Sequence, residues 1–117
     1  MKLVECVPNF SEGRDPEIIR QITARIEAVS GVRLLNVDPG KATNRTVVTF
    51  VGNPAAVVEA AYRAIKKAGE LIDMAKHKGE HPRMGAVDVI PFIPVSGITI
   101  AECASLAEKL GERIGRE

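Results

Sequence analysis

Two helix starts of the same form, Asp15-Pro16 and Asn53-Pro54, each lie between β-rich runs, and this repetition limits the possible folds more than any other feature. Asp and Asn offer a side-chain acceptor to the first free N–H groups of a helix, and Pro at the first helical position gives up only an N–H that would have no partner. Behind Asp15, the residues Ile18, Ile22, Ile26 and Val29 recur at helical spacing up to the stop signal Ser30-Gly31. Behind Asn53, Val57, Val58, Ala61, Ile65, Ala68 and Ile72 mark the apolar stripe of a longer helix that runs to about Asp73 or Lys76. A third helix opens on the capping box Thr99-Ile100-Ala101-Glu102, with Ile100, Cys103, Leu106, Ala107, Leu110 and Ile114 on its apolar face.

Four short runs read as strands: Leu3 to Val7, Val32 to Val37, Thr46 to Val51 and Ala86 to Val95. Pro91 and Pro94 remove two ladder donors from the last and confine it to an edge. Pro8 closes the first strand ahead of a polar loop, Asn9 to Arg14, and Asp38 to Arg45 reads as a turn-rich connection. The order is β-α-β-β-α-β-α, an α/β (α+β) class: a ferredoxin-like split βαββαβ sheet with helices on one face and an added C-terminal helix. Each β-α-β crossover leaves its two strands parallel, so Pro8 to Arg14, Asp38 to Arg45 and Lys76 to Gly85 are predicted at one end of the sheet. These are the most polar and Gly/Pro-rich stretches of the chain, whereas the connections at the other end, around Gly31, Gly52 and Gly97, are short and chemically plain. A functional site is expected at the first end.

A chain of 117 residues with 45% apolar content is expected to form one domain, residues 1–117, around one core. With 3% aromatic residues, no Trp and a net charge of +1, it lacks the stacking surface and the phosphate-neutralising charge of a nucleic-acid binder. Cys6 sits in an apolar run and Cys103 on a helical apolar face, which predicts two buried thiols and no disulfide, as in a reducing compartment. No apolar run approaches the ~20 residues of a membrane span, so the expected location is cytoplasmic, away from membranes. The sequon Asn44-Arg45-Thr46 is then without consequence.

The third polar stretch, Met74 to Gly85, holds both histidines, His77 and His81, and sets Lys76, Lys78 and Arg83 against Glu80. Gly79, Pro82 and Gly85 interrupt any helix, so it reads either as a solvated basic loop or as an ordered loop that receives an anion beside a titratable imidazole. His77-Lys78-Gly79-Glu80-His81 matches the H-x-x-E-H zinc pattern, but that chemistry needs both rings one turn apart on a helix. Gly79 and Pro82 work against such a helix and there is no further His, so no metal is expected. General acid–base chemistry needs only one imidazole, and His81, fixed by Pro82, is better placed than His77. Asp38 would orient that ring or hold a substrate amine, or else forms an Asp-Pro-Gly turn. Arg45, Lys78 and Arg83 suit carboxylates, the arginines through a bidentate fork. Asn9 and Asn44 read equally as hydrogen-bonding partners or as turn residues, and Glu12 and Asp88 as solvated or structural.

Val4-Glu5-Cys6-Val7-Pro8-Asn9-Phe10-Ser11-Glu12-Gly13, Asp38 with Thr43-Asn44-Arg45-Thr46, Leu71-Ile72-Asp73-Met74, and His77-Lys78-Gly79-Glu80-His81-Pro82-Arg83-Met84-Gly85 closely resemble the glutamate formimidoyltransferase family. Several separate motifs agree in order and spacing over nearly the whole chain. The resemblance implies transfer of a formimino group from N-formimino-L-glutamate to N5 of tetrahydrofolate, a co-substrate, in histidine degradation, with His81 as the catalytic histidine. It also implies that this region is the first part of an N-terminal subdomain, continued by further strands and sharing its substrate groove with a second subdomain. The chain is therefore expected to be a fragment, a short protein that works with a partner chain or as a homo-oligomer, or a relic that binds without turnover. The alternatives are a paralogue acting on 5-formyltetrahydrofolate and a non-catalytic α/β module that binds an anionic ligand or a partner chain.

Overall fold

The computed structural model describes residues 2–10, 15–40, 45–73 and 91–116. Strand β1 (Leu3–Cys6) continues, after Val7 and Pro8, into β2 (Asn9–Phe10). Both segments run antiparallel to β4 (Arg45–Gly52) in one unbroken register, Val4 opposite Gly52 and Phe10 opposite Thr46. Pro8 has no N–H to give, but its carbonyl still accepts from the Val48 N–H at 3.1 Å, so the ladder carries on past it. Strand β3 (Val32–Gly40) pairs antiparallel with the other edge of β4, and β5 (Phe92–Ser96) pairs antiparallel with β1. Across the described sheet the order is β3, β4, β1 with β2, then β5, which makes β1 parallel to β3 and β4 parallel to β5, as the split βαβ arrangement requires. The proline-bearing β5 lies at an edge.

Helix α1 (Pro16–Glu27) starts where Asp15 accepts the Glu17 N–H at 3.0 Å. Helix α2 (Pro54–Ala68) starts where Asn53 accepts the Ala56 N–H at 2.9 Å, and continues as a π-helical turn over Gly69–Asp73. At the start of α3 (Ile100–Arg116) the capping box is complete: Glu102 N–H donates to the Thr99 hydroxyl at 3.1 Å and Thr99 N–H to the Glu102 carboxylate at 2.9 Å. Helices α1 and α2 cover one face of the sheet, where Val4, Cys6, Phe10, Val48 and Phe50 meet Ile22, Ile26, Val57, Ala61 and Ile65 in a common core. Helix α3 adds Cys103, Leu106 and Leu110 to it. The alanine-rich stripe of α2 (Ala56, Ala60, Ala61, Ala64 and Ala68, all buried) lets that helix lie close to its neighbours. Both thiols are free and buried, and burial pushes the Cys6 thiol far above its ordinary range.

Several expectations change. Strand β3 does not stop at Val37 but carries Asp38, Pro39 and Gly40 into the ladder opposite Val47, Thr46 and Arg45, so Asp38 is not a turn former. Asn9 and Phe10 likewise belong to a strand rather than a loop. On α1 the buried side chains are Ile19, Ile22, Thr23 and Ile26, with Ile18 only partly covered. Ile100, expected on the apolar face of α3, is 77% exposed at the first residue of that helix, whereas Cys103, Leu106 and Leu110 further along are buried. Among the described residues, no helix is long and apolar enough to cross a membrane.

Candidate functional site

The sheet has a second face that the described helices leave uncovered. Along β4, Thr46, Val48, Phe50 and Gly52 are buried against the helices, and Val47, Thr49 and Val51 point the other way. Residues directly opposite one another in neighbouring strands share a face, so the register assigns each partner of these three residues to the open side. Asn9 and Asp38 both stand opposite Val47, one from each side. They form one rank across three strands, separated by two strand spacings, about 10 Å. Arg45 lies at the start of β4 opposite Gly40, two residues further along in the same direction.

Asp38 reaches this face because of a bulge. Leu34 pairs with Phe50 and Asn36 with Thr49, so Leu35 is the extra residue. In a strictly alternating strand Asp38 would share the helix-facing side with Leu34; the inserted residue reverses every later side chain and turns Asp38 to the side of Asn9. Asn9 is held by strand pairing on a half-buried stretch. Its Oδ1 is fully buried and finds no hydrogen-bond partner among the described residues. A buried carbonyl oxygen without a donor costs about 1–3 kcal/mol, and such groups in native folds call for an explanation, such as a ligand donor.

A second rank, at the other end of the open face, consists of Glu5 and Arg33 on either side of Val51, with Ile93 beyond Glu5. Sequence reasoning did not single out Glu5 or Arg33. The signal was present, since each is the charged member of an alternating apolar run, but short strands with one charged position seldom look like part of a site. The open face therefore carries one carboxylate and one arginine towards each end, on different strands, with a β-branched centre of Val47, Thr49 and Val51. Such a face suits a flat ligand with polar groups at its ends.

Of the residues the sequence singled out, the structure brings Asn9, Asp38 and Arg45 to one end of the sheet. His77, Lys78, His81, Arg83 and Asn44, and with them the H-x-x-E-H pattern, Glu12 and Asp88, lie outside the described residues. The described chain leaves off after Phe10 and Gly40 and resumes before Phe92, all at the end that holds Asn9 and Asp38. No group of three or more His, Cys, Asp or Glu among the described residues is arranged to hold a metal ion.

A split βαββαβ domain with a polar cluster at the ends of its strands is a frame used by many ligand-binding and catalytic proteins. Residues 3–117 match the family model described as formiminotransferase domain, N-terminal subdomain, and the chain belongs to that family. It is 59% identical over 116 residues to a formimidoyltransferase-cyclodeaminase of Dictyostelium discoideum, covering 99% of this chain and 22% of that protein. It is 50% identical over 117 residues to a glutamate formimidoyltransferase of Thermoplasma acidophilum, covering 100% of this chain and 39% of the relative. A glutamate formimidoyltransferase of Streptococcus pyogenes is 47% identical over 116 residues, with 99% of this chain and 39% of the relative covered. The chain thus spans from about a fifth to two fifths of the length of these curated relatives.

Proposed function

We propose that this chain is the histidine-bearing part of a glutamate formimidoyltransferase, moving a formimino group from N-formimino-L-glutamate to N5 of tetrahydrofolate. The observation that carries the reading is the family match together with the rank Asn9–Val47–Asp38, in which a buried amide oxygen without a donor among the described residues and a carboxylate stand on one face, one strand apart from each other across Val47. Attack of N5 on the formimino carbon forms a C–N bond and a tetrahedral centre; loss of the glutamate nitrogen breaks the other C–N bond. His81 takes the proton from the incoming nitrogen and returns it to the departing one, so the histidine is regenerated and no net proton is consumed. Asp38 orients that imidazole or holds a substrate amine. Arg45, Lys78 and Arg83 receive the carboxylates of formiminoglutamate and of the glutamate tail of folate, and Asn9 and Asn44 hydrogen-bond the neutral parts of the substrates. No metal is needed for this chemistry.

Residues 1–117 act as one domain in this reading, and the substrate groove is completed by a second subdomain or by another copy of the chain, in the cytoplasm as part of histidine degradation. The exposed Ile93 on the open face and the β-branched centre beside it support a covering body there. Holding two substrates in register is worth up to about 7–11 kcal/mol, so a site with one wall missing forfeits most of its rate. The test supplies the second subdomain of a relative in trans and follows formimino transfer. The expected outcome is little activity from this chain alone, restoration on complementation, and a loss of about 10²–10⁴-fold in His81→Ala. Near-parental turnover in the complemented His81→Ala protein would show that another residue moves the proton.

A further inference from the structure

We propose that the outer helical layer carries a binding site for a compact polyphosphate group, in the groove between α1 and α2. The groove has a volume of about 330 Å³ and is lined by Arg25 from α1 and by Arg63, Lys66, Lys67, Glu59 and Glu70 from α2 and the turn that follows it. Positions 59, 63, 66, 67 and 70 recur at three- and four-residue spacing, so they share one face of the helix, and Arg25 supplies the opposite wall.

Charges of this kind are often no more than a solvated surface, and Lys66 and Lys67 at the end of α2 also offset the helix macrodipole. Three observations go beyond that. Glu59, the carboxylate deepest in the cationic network, is already engaged: Arg113 of α3 and Arg63 both bond it, and the Arg113 hydrogen bond, ahead of that of Arg63, holds its carboxyl below the usual carboxylate range. The Lys67 side chain is only 19% exposed, yet its carboxylate neighbour, Glu70, stands 3.8 Å away, too far for a hydrogen bond. Arg25 and Lys66 make no ion pair within the described residues. Four cations thus face two carboxylates in the groove, and one of those carboxylates is neutralised from behind by Arg113, while the whole chain carries only +1.

The wall is also stiff. Tyr62 is buried, and the Arg113 guanidinium lies 3.8 Å above its ring centroid, fixing α3 to α2 beneath the groove. This much unmatched positive charge in a volume near the lower limit for ligand pockets favours a ligand that packs several negative charges into little space. A di- or triphosphate does so better than separate carboxylates, with Arg25 as a fork and the lysines as point charges. Helices α1 and α2 separate the groove from the open face of the sheet, so this inference stands or falls apart from the transferase reading.

The test titrates the protein with sodium tripolyphosphate by calorimetry, at ionic strength held constant with NaCl. One saturable site is expected, with about tenfold or more weaker affinity in the K66Q/K67Q double variant and unchanged affinity in K109Q, which alters an exposed α3 residue outside the groove. Arg25→Gln probes the other wall and is expected to weaken binding similarly should the double variant fail to fold by circular dichroism. Absence of saturable binding, parental affinity in the folded groove variants, or equal affinity for citrate would each overturn the proposal.

Discussion

The two ends of the sheet are made on opposite plans. At the end formed by Gly31, Val32, Gly52 and Asn53, backbones approach until no side chain fits. Gly31 has a φ of +94°, and a Cβ there would lie 2.6 Å from Nδ2 of Asn53, while a Cβ on Gly52 would collide with the Gly31 carbonyl oxygen. The polar groups close on each other, and the Asn53 side chain caps α2. At the other end, Asn9, Asp38 and Arg45 stand on three neighbouring strands, and a buried amide oxygen lacks a donor among the described residues. One end spends its chemistry on the fold. The other leaves a buried polar atom unsatisfied among the described residues, as the proposed substrate site would require, at a local cost in stability.

The comparison predicts that the closed end governs stability and leaves the chemistry alone. Gly52→Ala is expected to produce the largest effect, a loss of about 3 kcal/mol at the upper end of overpacking costs, because the obstructing atom is backbone and cannot turn away. Gly31→Ala follows at about 1–3 kcal/mol from its positive φ. Urea unfolding measures both, and a loss under 0.5 kcal/mol for Gly52→Ala, on the order of ordinary surface substitutions, would remove the contrast.

The helical layer between the two ends gives an intermediate effect. Glu59→Gln breaks the bonds to Arg113 and Arg63 and is expected to cost about 1–2 kcal/mol at neutral pH, within the range for charge-assisted hydrogen bonds that are partly exposed. The Glu59 carboxyl is depressed below its ordinary 4.5, first by the Arg113 hydrogen bond. Its contribution is therefore fully present above 4.5 and fades as pH falls through the lowered value, so parent and variant should converge in acid. A stability gap that stays constant down to pH 2, on the order of two units below the ordinary carboxylate range, would assign the effect to packing instead of charge.

The smallest stability effects belong to the open end. Neither Asn9→Ala nor Asp38→Asn is expected to lower unfolding free energy by more than about 0.5–1 kcal/mol, since relief of an oxygen unsatisfied among the described residues offsets the packing lost at Asn9 and the other change alters an exposed carboxylate. Formimino transfer in the complemented protein should nevertheless fall about tenfold or more in each, the loss of one hydrogen bond to a bound substrate. If Asn9→Ala unfolds the protein and leaves transfer intact, the two ends are alike and the substrate-site reading fails.

Helix starts and strand order were legible in the sequence because they rest on local causes. The Asp15, Asn53 and Thr99–Glu102 caps bond within two or three residues of themselves, and strand order follows from handed crossovers. The rank of Asn9 and Asp38 was legible only in part. That both lie at one end followed from topology, but their sharing a face depends on Val47, which stands 38 residues after Asn9 and nine after Asp38. Strict alternation along β3 would have placed Asp38 with Leu34, against the helices. Only the pairing with β4, in which Leu35 bulges out, turns the carboxylate to the open face. The exposure of Ile100 was not legible either, since helical spacing marks a stripe and only packing shows which of its residues are covered. The sequence alone determined the order of the helices and strands and that Asn9, Asp38 and Arg45 lie at one end of the sheet, but not that Asn9–Phe10 and Asp38–Gly40 belong to strands. Register, bulge and packing partners decided which face those residues occupy, because these are agreements between distant segments that no single segment carries.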